Sequence, residues 1–309
     1  MGSTVAQALA TARKTGLDKL DADLLLLFAR GLDGAALEGA RSWLLVHDTD
    51  VLDAPVLDRY RACVQRRLAG EPLAYIVGMK EFHGLPLRVD RHVLVPRPDT
   101  ETLVDWALEH LRSMTLRPGV PALRVLDLGC GSGAIALAIR RNCPTCTVDA
   151  VDASAAALAV AQSNTERHGL PVRLLQGDWF QPVDGHYDCI VSNPPYVAEG
   201  DPHLHALAHE PAQALVSGPD GLRDIRQIVT DAPLHLADGG WLLLEHGHTQ
   251  GMAVHSLLHT AGFQELSRRH DLAGHWRCSA GRWIAPRGTA GNGTAGNDAA
   301  SLSNRGSVK

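Results

Sequence analysis

Apolar and polar positions alternate with the period of an α-helix through residues 1–72. The pattern is interrupted at Gly16, at residues 31–34 and at residues 53–55, where glycine, aspartate and proline favour turns. A helical period broken at these points predicts a bundle of about four or five short helices. We therefore expect residues 1–72 to form a small helical domain.

The pattern changes after residue 72. Residues 73–98 contain shorter apolar runs punctuated by Gly78, Gly84 and Pro86, which predicts a β-hairpin linker. Residues 99–284 begin with a helix at 100–113 and then alternate strand-like and helical segments, which is typical of a doubly wound, Rossmann-like α/β sheet. We expect seven strands, the last two as an antiparallel pair, at 124–128, 147–151, 172–175, 187–192, 241–245, 263–269 and 276–284.

The composition changes again at the carboxyl end. Residues 285–309 contain Gly-Thr-Ala-Gly-Asn twice in succession, followed by a segment rich in serine, asparagine and glycine. Such a segment has too few apolar side chains to form a core. We predict a disordered tail without a catalytic role.

A glycine-rich turn follows the first strand of the α/β region. The strand ends in Asp127, and residues 129–133 read Gly-Cys-Gly-Ser-Gly. Glycines allow close approach to a ligand, so a strand, this turn and a helix suggest a nucleotide-binding unit, although the dinucleotide fingerprint alone is a weak match. Asp152 ends the next strand about 20 residues further on, where a carboxylate can accept hydrogen bonds from ribose hydroxyls. Asp152 could instead cap a helix, but the glycines favour the ribose role.

The loops after the third and fourth strands should open at the same edge of the sheet. The third strand leads to Asp178 and Trp179, which could contact the exocyclic amine and the ring of an adenine. Core packing is the alternative for Trp179. The fourth strand leads to a tetrapeptide, residues 193–196, that reads Asn-Pro-Pro-Tyr.

The tetrapeptide should be stiff and extended. Proline lacks an N–H and pushes the residue before it out of the helical region, so the strand must stop there. The Asn193 side-chain oxygen and the Pro194 carbonyl remain as acceptors, and the Tyr196 ring offers a flat surface beside them. Such a rim can hold a planar NH2 group, although a proline-rich turn without function is the alternative for the tetrapeptide alone.

Together these features resemble class I S-adenosylmethionine-dependent methyltransferases that modify a planar exocyclic nitrogen. Four further segments are similar to the protein-(glutamine N5) methyltransferases of peptide chain release factors, the HemK or PrmC family. They are residues 94–101, 177–180, 201–204 and 242–247. The similarity covers roughly residues 5–284, and it implies the class I methyltransferase fold with an amino-terminal domain that docks the protein substrate.

The resemblance implies methylation, by S-adenosylmethionine, of the glutamine amide in the Gly-Gly-Gln motif of class 1 release factors. Residues 97–101 would approach the crevice, no metal would be needed, and we expect a monomer. The cofactor would be held by Gly129, Cys130, Gly131, Ser132, Gly133, Asp152, Asp178, Trp179 and Asn193. The glutamine would be held by Asn193, Pro194, Pro195 and Tyr196, with Asn193, Pro194 and Tyr196 as the catalytic residues.

Composition narrows the classes of function. The chain has 309 residues, 45% of them hydrophobic, and no run approaches the ~18 apolar residues of a membrane span. No signal-peptide pattern is found, and six cysteines, of which only Cys143 and Cys146 have metal-ligand or redox spacing, fit a reducing compartment. We therefore expect a cytoplasmic protein. A net charge of −5 argues against direct binding of nucleic acid.

Other functions remain open. A related glutamine methyltransferase acting on a ribosomal protein would use the same residues. An adenine-N6 nucleic-acid methyltransferase would use a similar tetrapeptide for a flipped base, but the chain lacks a basic surface for it. A dinucleotide oxidoreductase fits only the glycine turn and Asp152, and a non-catalytic adaptor would not need the site residues.

Overall fold

The computed structural model describes residues 2–115 and 122–286. The amino-terminal part is helical, as predicted, and the helices end at the expected interruptions. The Thr4 hydroxyl and the Gln7 side chain cap the first helix reciprocally, and four consecutive leucines of the second helix, residues 24–27, are buried in the centre of the bundle. The helices are α1 Val5–Lys14, α2 Lys19–Ala29, α3 Ala35–Gly39, α4 Arg41–Val46, α5 Ala54–Leu68 and α6 Leu73–Val77.

The predicted hairpin is present, but the segment before it is helical. Strands β1 (Met79–Phe82) and β2 (Leu85–Arg88) pair in antiparallel register around His83 and Gly84, which both have positive φ. Residues 73–77 form α6 rather than an extended segment because a helical turn buries four of its five side chains. Gly78, in the left-handed conformation, ends α6 and leads into β1.

The α/β region contains a seven-stranded sheet in the order β5-β4-β3-β6-β7-β9-β8. Strands β3 to β7 are parallel, whereas β9 is antiparallel to both of its neighbours, which confirms the predicted fold class. The strands are β3 Arg124–Leu128, β4 Thr147–Asp152, β5 Arg173–Gln176, β6 Tyr187–Ser192, β7 Leu236–Glu245, β8 Gln264–His270 and β9 Trp276–Arg282. The helices are α7 Glu101–Thr115, α8 Ala134–Asn142, α9 Ala155–His168, α10 Arg223–Asp231 and α11 Gly251–Thr260.

Helices cover both faces of the sheet. Successive side chains of a strand point to opposite faces, so Val125 packs with α7 and α8 whereas Leu126 packs with α10 and α11. Strand β3 is flanked by β4 on one side and by β6 on the other, so successive strands are added toward one edge of the sheet up to β5 and toward the other edge from β6 onward. Ligands of doubly wound folds bind at the carboxyl ends of the strands beside such a reversal.

Strand register brings the candidate residues together. Leu128 at the end of β3 is the pairing partner of Ser192 at the end of β6, so the glycine turn and the tetrapeptide begin side by side. Asp152 at the end of β4 pairs with Gln176 at the end of β5. Four strands therefore deliver their following loops to one edge.

Cys143 and Cys146 form a disulfide across the turn between α8 and β4, with their Cα atoms 5.4 Å apart. This pairing differs from the reduced state expected from the sequence. The other four cysteines are free and buried. The predicted tail lies, apart from residues 285 and 286, outside the described residues, and in residues 2–115 and 122–286 no helix is long and apolar enough to cross a membrane.

Candidate active site

A cavity of about 270 Å³ opens at the carboxyl edge of the sheet, between β3 and β6. The loops that follow β3, β4, β5 and β6 line the cavity, and so does the segment before α7, including Arg97 and Thr100. Three predicted site residues, Gly133, Pro194 and Tyr196, are not among the residues that line the cavity. The predicted site residues that line the cavity are Gly129, Cys130, Gly131, Ser132, Asp152, Asp178, Trp179, Asn193 and Pro195.

The glycine turn needs its glycines for two reasons. Gly129, Gly131 and Gly133 all have positive φ, a conformation that other residues rarely adopt. A Cβ on Gly129 would lie 3.4 Å from the Trp179 ring, and a Cβ on Gly133 would lie 3.4 Å from Ala161 of α9. The turn is therefore shaped both by its own backbone and by what packs against it.

Asp152 holds the glycine turn from the next strand. Its Oδ2 accepts the Gly131 N–H at 2.9 Å, and its Oδ1 accepts the Ser154 N–H at 2.9 Å. The N-cap of α9 is Ser154, so the carboxylate of Asp152 remains directed at the cavity rather than serving as the helix cap. Burial raises the pKa of Asp152, and the two N–H groups partly oppose that shift.

Asp127 joins β3 to α8 beneath the cavity. Its Oδ2 accepts the Ala136 N–H at 3.0 Å, which satisfies a donor in the first turn of α8. Its Oδ1 is buried without a hydrogen-bond partner among the described residues. Desolvation raises the pKa of Asp127 to about 7, so this carboxyl group is readily protonated.

Asp178 and Trp179 close another side of the cavity. The backbone of Trp179 has φ +44°, which is unusual for a bulky side chain. This conformation places the half-buried indole against Gly129, and strained backbone of this kind is common at ligand sites.

The tetrapeptide follows β6 directly, so the strand ends where the prolines require. Asn193 and Pro195 line the cavity, and Asn193 Nδ2 donates to Thr100 Oγ1 at 3.1 Å. The Tyr196 hydroxyl donates to Glu245 Oε1 at 3.2 Å. Burial, together with the nearby Glu245 carboxylate, raises the pKa of Tyr196.

The wall that contains Arg97 is anchored by Glu210. The Glu210 carboxylate is buried; it forms an ion pair with Arg97 and accepts the Val95 N–H at 3.0 Å. The Tyr75 hydroxyl donates to the Val93 carbonyl, which holds the same segment from the side of α6. Helix α6 is thereby connected to the cavity wall.

The sequence did not identify several residues at or near the site. Arg223 and Asp224, at the start of α10, line the cavity and form an ion pair at 3.0 Å. Glu245 ends β7 beside the tetrapeptide, and an acid at the end of a strand is the signal that identified Asp152. Asn164 of α9 contacts the glycine turn from behind, and its position in the middle of a helix gives no signal.

The charges on the cavity favour a cationic ligand. Both arginines on the lining are paired with carboxylates, Arg97 with Glu210 and Arg223 with Asp224. Asp152 and Asp178 add negative charge, and neither forms an ion pair with another residue in the ranges 2–115 and 122–286. Within the part of the chain that the structure describes, no group of three or more histidine, cysteine or acidic side chains could hold a metal ion.

Comparison with known proteins gives two matching families. The chain matches the PrmC N-terminal domain over residues 4–78 and the Methyltransferase small domain over residues 104–222. The "Release factor glutamine methyltransferase" of Bordetella pertussis is 47% identical over 265 residues, which cover 84% of this chain and 96% of the relative. That of Coxiella burnetii is 42% identical over 280 residues, covering 90% and 96% respectively.

A solved structure agrees on the fold. A methyltransferase from Pyrococcus furiosus superimposes with a TM-score of 0.50 at 21% identity, covering 72% of this chain and 98% of that one. The family resemblance and the class I methyltransferase fold predicted from the sequence are thus confirmed. With nearly the full length of two curated relatives matched at more than 40% identity, the chain belongs to the release factor glutamine methyltransferase family.

Proposed function

We propose that this protein transfers a methyl group from S-adenosylmethionine to the side-chain amide nitrogen (N5) of the glutamine in the Gly-Gly-Gln motif of class 1 release factors. It would act as a cytoplasmic monomer. The observation that carries the proposal is the placement of the glycine turn and the tetrapeptide on adjacent parallel strands, around one cavity. The names of the curated relatives support the same substrate class.

The residues around the cavity fit the cofactor. S-adenosylmethionine supplies a methyl group activated by a sulfonium, and its cationic centres suit a cavity lined by Asp152 and Asp178. Asp152 would accept the ribose hydroxyls, while Asp178 and Trp179 would border the adenine. The remaining cofactor contacts would come from the glycine turn, Gly129, Cys130, Gly131, Ser132 and Gly133, and from Asn193.

The tetrapeptide would supply placement rather than a strong base. A carboxamide nitrogen is a poor nucleophile because its lone pair is delocalised into the carbonyl group. Asn193 Oδ1 and the Pro194 carbonyl would accept the two N–H groups of the glutamine and turn its nitrogen toward the cofactor, with Pro195 and Tyr196 shaping the seat. Orientation of this kind can lower a barrier by several kcal/mol.

The same two acceptors would stabilise the transition state. Positive charge grows on the nitrogen as the new bond forms, and fixed oxygen dipoles directed at that nitrogen interact with the charge more strongly than with the neutral amide. Methyl transfer first gives a positively charged amide nitrogen that still carries both hydrogens, and this cation is strongly acidic and loses one proton readily to water. The site therefore needs no dedicated base, which agrees with the absence of a charged side chain in residues 193–196.

Replacement of Asn193 tests this proposal. In Asn193→Ala, methyl transfer to a recombinant release factor should be abolished, while the Kd for S-adenosylmethionine, measured by calorimetry, should change by only a few-fold. A release factor with alanine in place of the Gly-Gly-Gln glutamine is the substrate control and should take up no methyl group. Turnover by Asn193→Ala within a few-fold of the wild-type rate would contradict the proposed role.

Labelled-methyl assays separate the rival functions. A ribosomal protein as substrate would take up label in place of the release factor, and an adenine methyltransferase would label DNA or RNA. Binding of NAD in preference to S-adenosylmethionine would indicate an oxidoreductase. A non-catalytic adaptor would bind the release factor without labelling it.

We further propose that residues 1–72 dock the release factor and that residues 73–98 link them to the catalytic residues 99–284. The helices have a hydrophobic cluster of their own, and Leu45 and Val46 of α4 are 79% and 76% exposed. Replacing both by serine should raise the KM for the release factor without changing the Kd for the cofactor. An unchanged KM would contradict docking through this surface.

A further inference from the structure

Strand β6 anchors the tetrapeptide at its beginning. Ser192, the last residue of β6, pairs with Leu128 of β3 and with Leu244 of β7, and its hydroxyl donates to the Leu128 carbonyl at 2.7 Å. The ladder ends there, and residues 193–196 belong to none of the strands. The far end of the tetrapeptide must therefore be fixed by contacts of another kind.

The side chain of Gln250 supplies such a contact. Gln250 is half-buried and stands directly before α11, in the loop that follows β7. Its Nε2 donates to the Tyr196 carbonyl at 3.0 Å and to the Asp220 carbonyl at 3.2 Å. Its Oε1 accepts the Gly247 N–H at 2.9 Å. One amide thus joins the end of the tetrapeptide to the turn at residues 218–221 and to the loop after β7.

The partners fix the orientation of the Gln250 amide. Tyr196 and Asp220 present carbonyl oxygens, which can only accept, and Gly247 presents an N–H, which can only donate. An amide turned over in the same space would place its oxygen against two oxygens and its NH2 against the N–H, so all three bonds would be lost. None of the three partner groups titrates, so the direction of these bonds does not depend on pH.

Two glycines allow the backbone to approach this amide closely. A Cβ on Gly221, which has φ +73°, would lie 2.7 Å from Gln250 Nε2 and 2.3 Å from the Tyr196 carbonyl oxygen. A Cβ on Gly247 would lie 3.0 Å from Gln250 Oε1. Because only glycine leaves room here, the backbone itself surrounds both the amide and the carbonyl that it holds.

Fixing the Tyr196 carbonyl restricts a segment that is already stiff. Pro194 and Pro195 have fixed φ, so the direction of the Asn193 side chain and of the Pro194 carbonyl depends chiefly on the ψ angles of residues 193–195. With β6 holding one end and Gln250 the other, these angles have little freedom left. Such control matters for a transfer reaction, since a misplacement of about 1 Å can lower a rate by about a hundredfold.

We propose that Gln250 is a positioning residue that holds the Tyr196 end of the tetrapeptide, so that Asn193 Oδ1 and the Pro194 carbonyl are directed at one glutamine nitrogen. The inference rests on the proposed function, which assigns the two acceptors. The Val197 N–H also donates to the Leu215 carbonyl at 2.8 Å, so the chain beyond the tetrapeptide stays attached without Gln250. Loss of Gln250 should therefore misplace the acceptors while the site remains folded.

Gln250→Met tests the inference, because it keeps the length of the side chain and removes all three hydrogen bonds. It should lower kcat for release factor methylation by about tenfold to a hundredfold. The Kd for S-adenosylmethionine should stay within about threefold of wild type, because none of the partners of Gln250 is a residue that we expect to hold the cofactor. The KM for the release factor should also stay within about threefold, whereas a collapsed site would change all three quantities.

Gln250→Glu separates hydrogen bonding from the filling of space. It keeps the shape of the side chain and the acceptor for the Gly247 N–H, but it places a carboxylate oxygen against two carbonyl oxygens. The loss in kcat should therefore be at least as large as in Gln250→Met, although Glu is the closer match in shape. The control is Thr249→Ala, which removes an exposed hydroxyl from the neighbouring residue and should leave kcat unchanged.

The outcomes distinguish this inference from the proposed function. If the wild-type protein did not methylate the release factor, the proposed function would fall and the inference with it. If the wild type were active but Gln250→Met kept kcat within about threefold, or Gln250→Glu were clearly the milder substitution, only the inference would be overturned. A Kd for S-adenosylmethionine raised as much as kcat is lowered would overturn it too, and so would loss of the folded state in both variants.

Discussion

Asn164 connects the hairpin linker to the glycine turn, and its removal should destabilise the protein strongly. It lies on α9 and is fully buried. Its Oδ1 accepts the Arg88 N–H at 2.7 Å, and its Nδ2 donates to the Arg88 carbonyl at 3.0 Å and to the Ser132 carbonyl at 2.9 Å. The Asn164 amide therefore binds both the N–H and the carbonyl of Arg88 at the end of β2, as the backbone of a neighbouring strand would. It also binds the carbonyl of Ser132, which lines the cavity.

The expected magnitude follows from these three bonds. A hydrogen bond contributes about 1 kcal/mol net, and buried groups left unsatisfied cost about 1–3 kcal/mol each, so Asn164→Ala should lower the free energy of unfolding by about 3 kcal/mol. For a protein of this size, that corresponds to a fall in Tm of about 6–12 °C. Affinity for S-adenosylmethionine should also fall, because the Ser132 carbonyl loses its donor.

Thermal unfolding with and without S-adenosylmethionine is the assay. The matched control is Gln162→Ala, which removes an exposed amide from the same helix together with its bond to Glu166, and the free energy of unfolding should change by about 0.5 kcal/mol or less. Asn164→Asp should be at least as harmful as Asn164→Ala, because a carboxylate oxygen would face two carbonyl oxygens. A Tm for Asn164→Ala equal to that of Gln162→Ala would refute the reasoning.

Three other predictions concern the cavity itself. Gly221→Ala should reduce methyl transfer far more than Gly200→Ala. Both glycines have positive φ, but a Cβ at position 221 would lie 2.3 Å from the Tyr196 carbonyl oxygen, whereas a Cβ at position 200 would meet no atom within 4 Å. Equal initial rates for the two variants would contradict this. Asp152→Ala should weaken cofactor binding in calorimetry by about tenfold or more, since bonds to a charged group contribute about 1.5–3 kcal/mol each, and an unchanged Kd would speak against a ribose contact. Burial raises the pKa of Asp127 from 3.8 to about 7. Between these two pH values the folded state keeps a proton that the unfolded state releases, so Asp127 lowers the free energy of unfolding as the pH rises from about 4 to about 7. The free energy of unfolding of Asp127→Asn should therefore rise relative to that of wild type between about pH 4 and about pH 7. A difference between the two proteins that stays constant over this range would disprove the prediction.

Strand ends were the part of the site that the sequence could predict. Parallel strands place their carboxyl ends at one edge, so residues at these ends or directly after them, such as Gly129, Asp152 and Asn193, could be grouped from their positions alone. The stiffness of the prolines and the positive φ of glycine are local properties, and the structure agrees with both. The predicted strands coincide with the observed ones within a few residues, except that β7 begins at Leu236 instead of 241.

The residues that the sequence did not reveal depend on packing between distant segments. The early start of β7 arises because Leu236 pairs with Tyr187 across an irregularity in the ladder, although Gly239 and Gly240 resemble a turn. Asn164 contacts a residue 76 positions away, and no local pattern encodes that. Glu245 stands at a strand end, where it could have been considered, but its hydrogen-bond partner Tyr196 lies 49 positions away in the sequence.

The central claim is that the cavity seats a glutamine amide opposite a methyl donor. Its most direct test incubates the purified protein with S-adenosylmethionine and a recombinant release factor and maps the peptides by mass spectrometry. We expect the mass increment of one methyl group on the glutamine of the Gly-Gly-Gln peptide, and none with Asn193→Ala. A release factor that stays unmodified, or one modified on any other residue, would contradict the account.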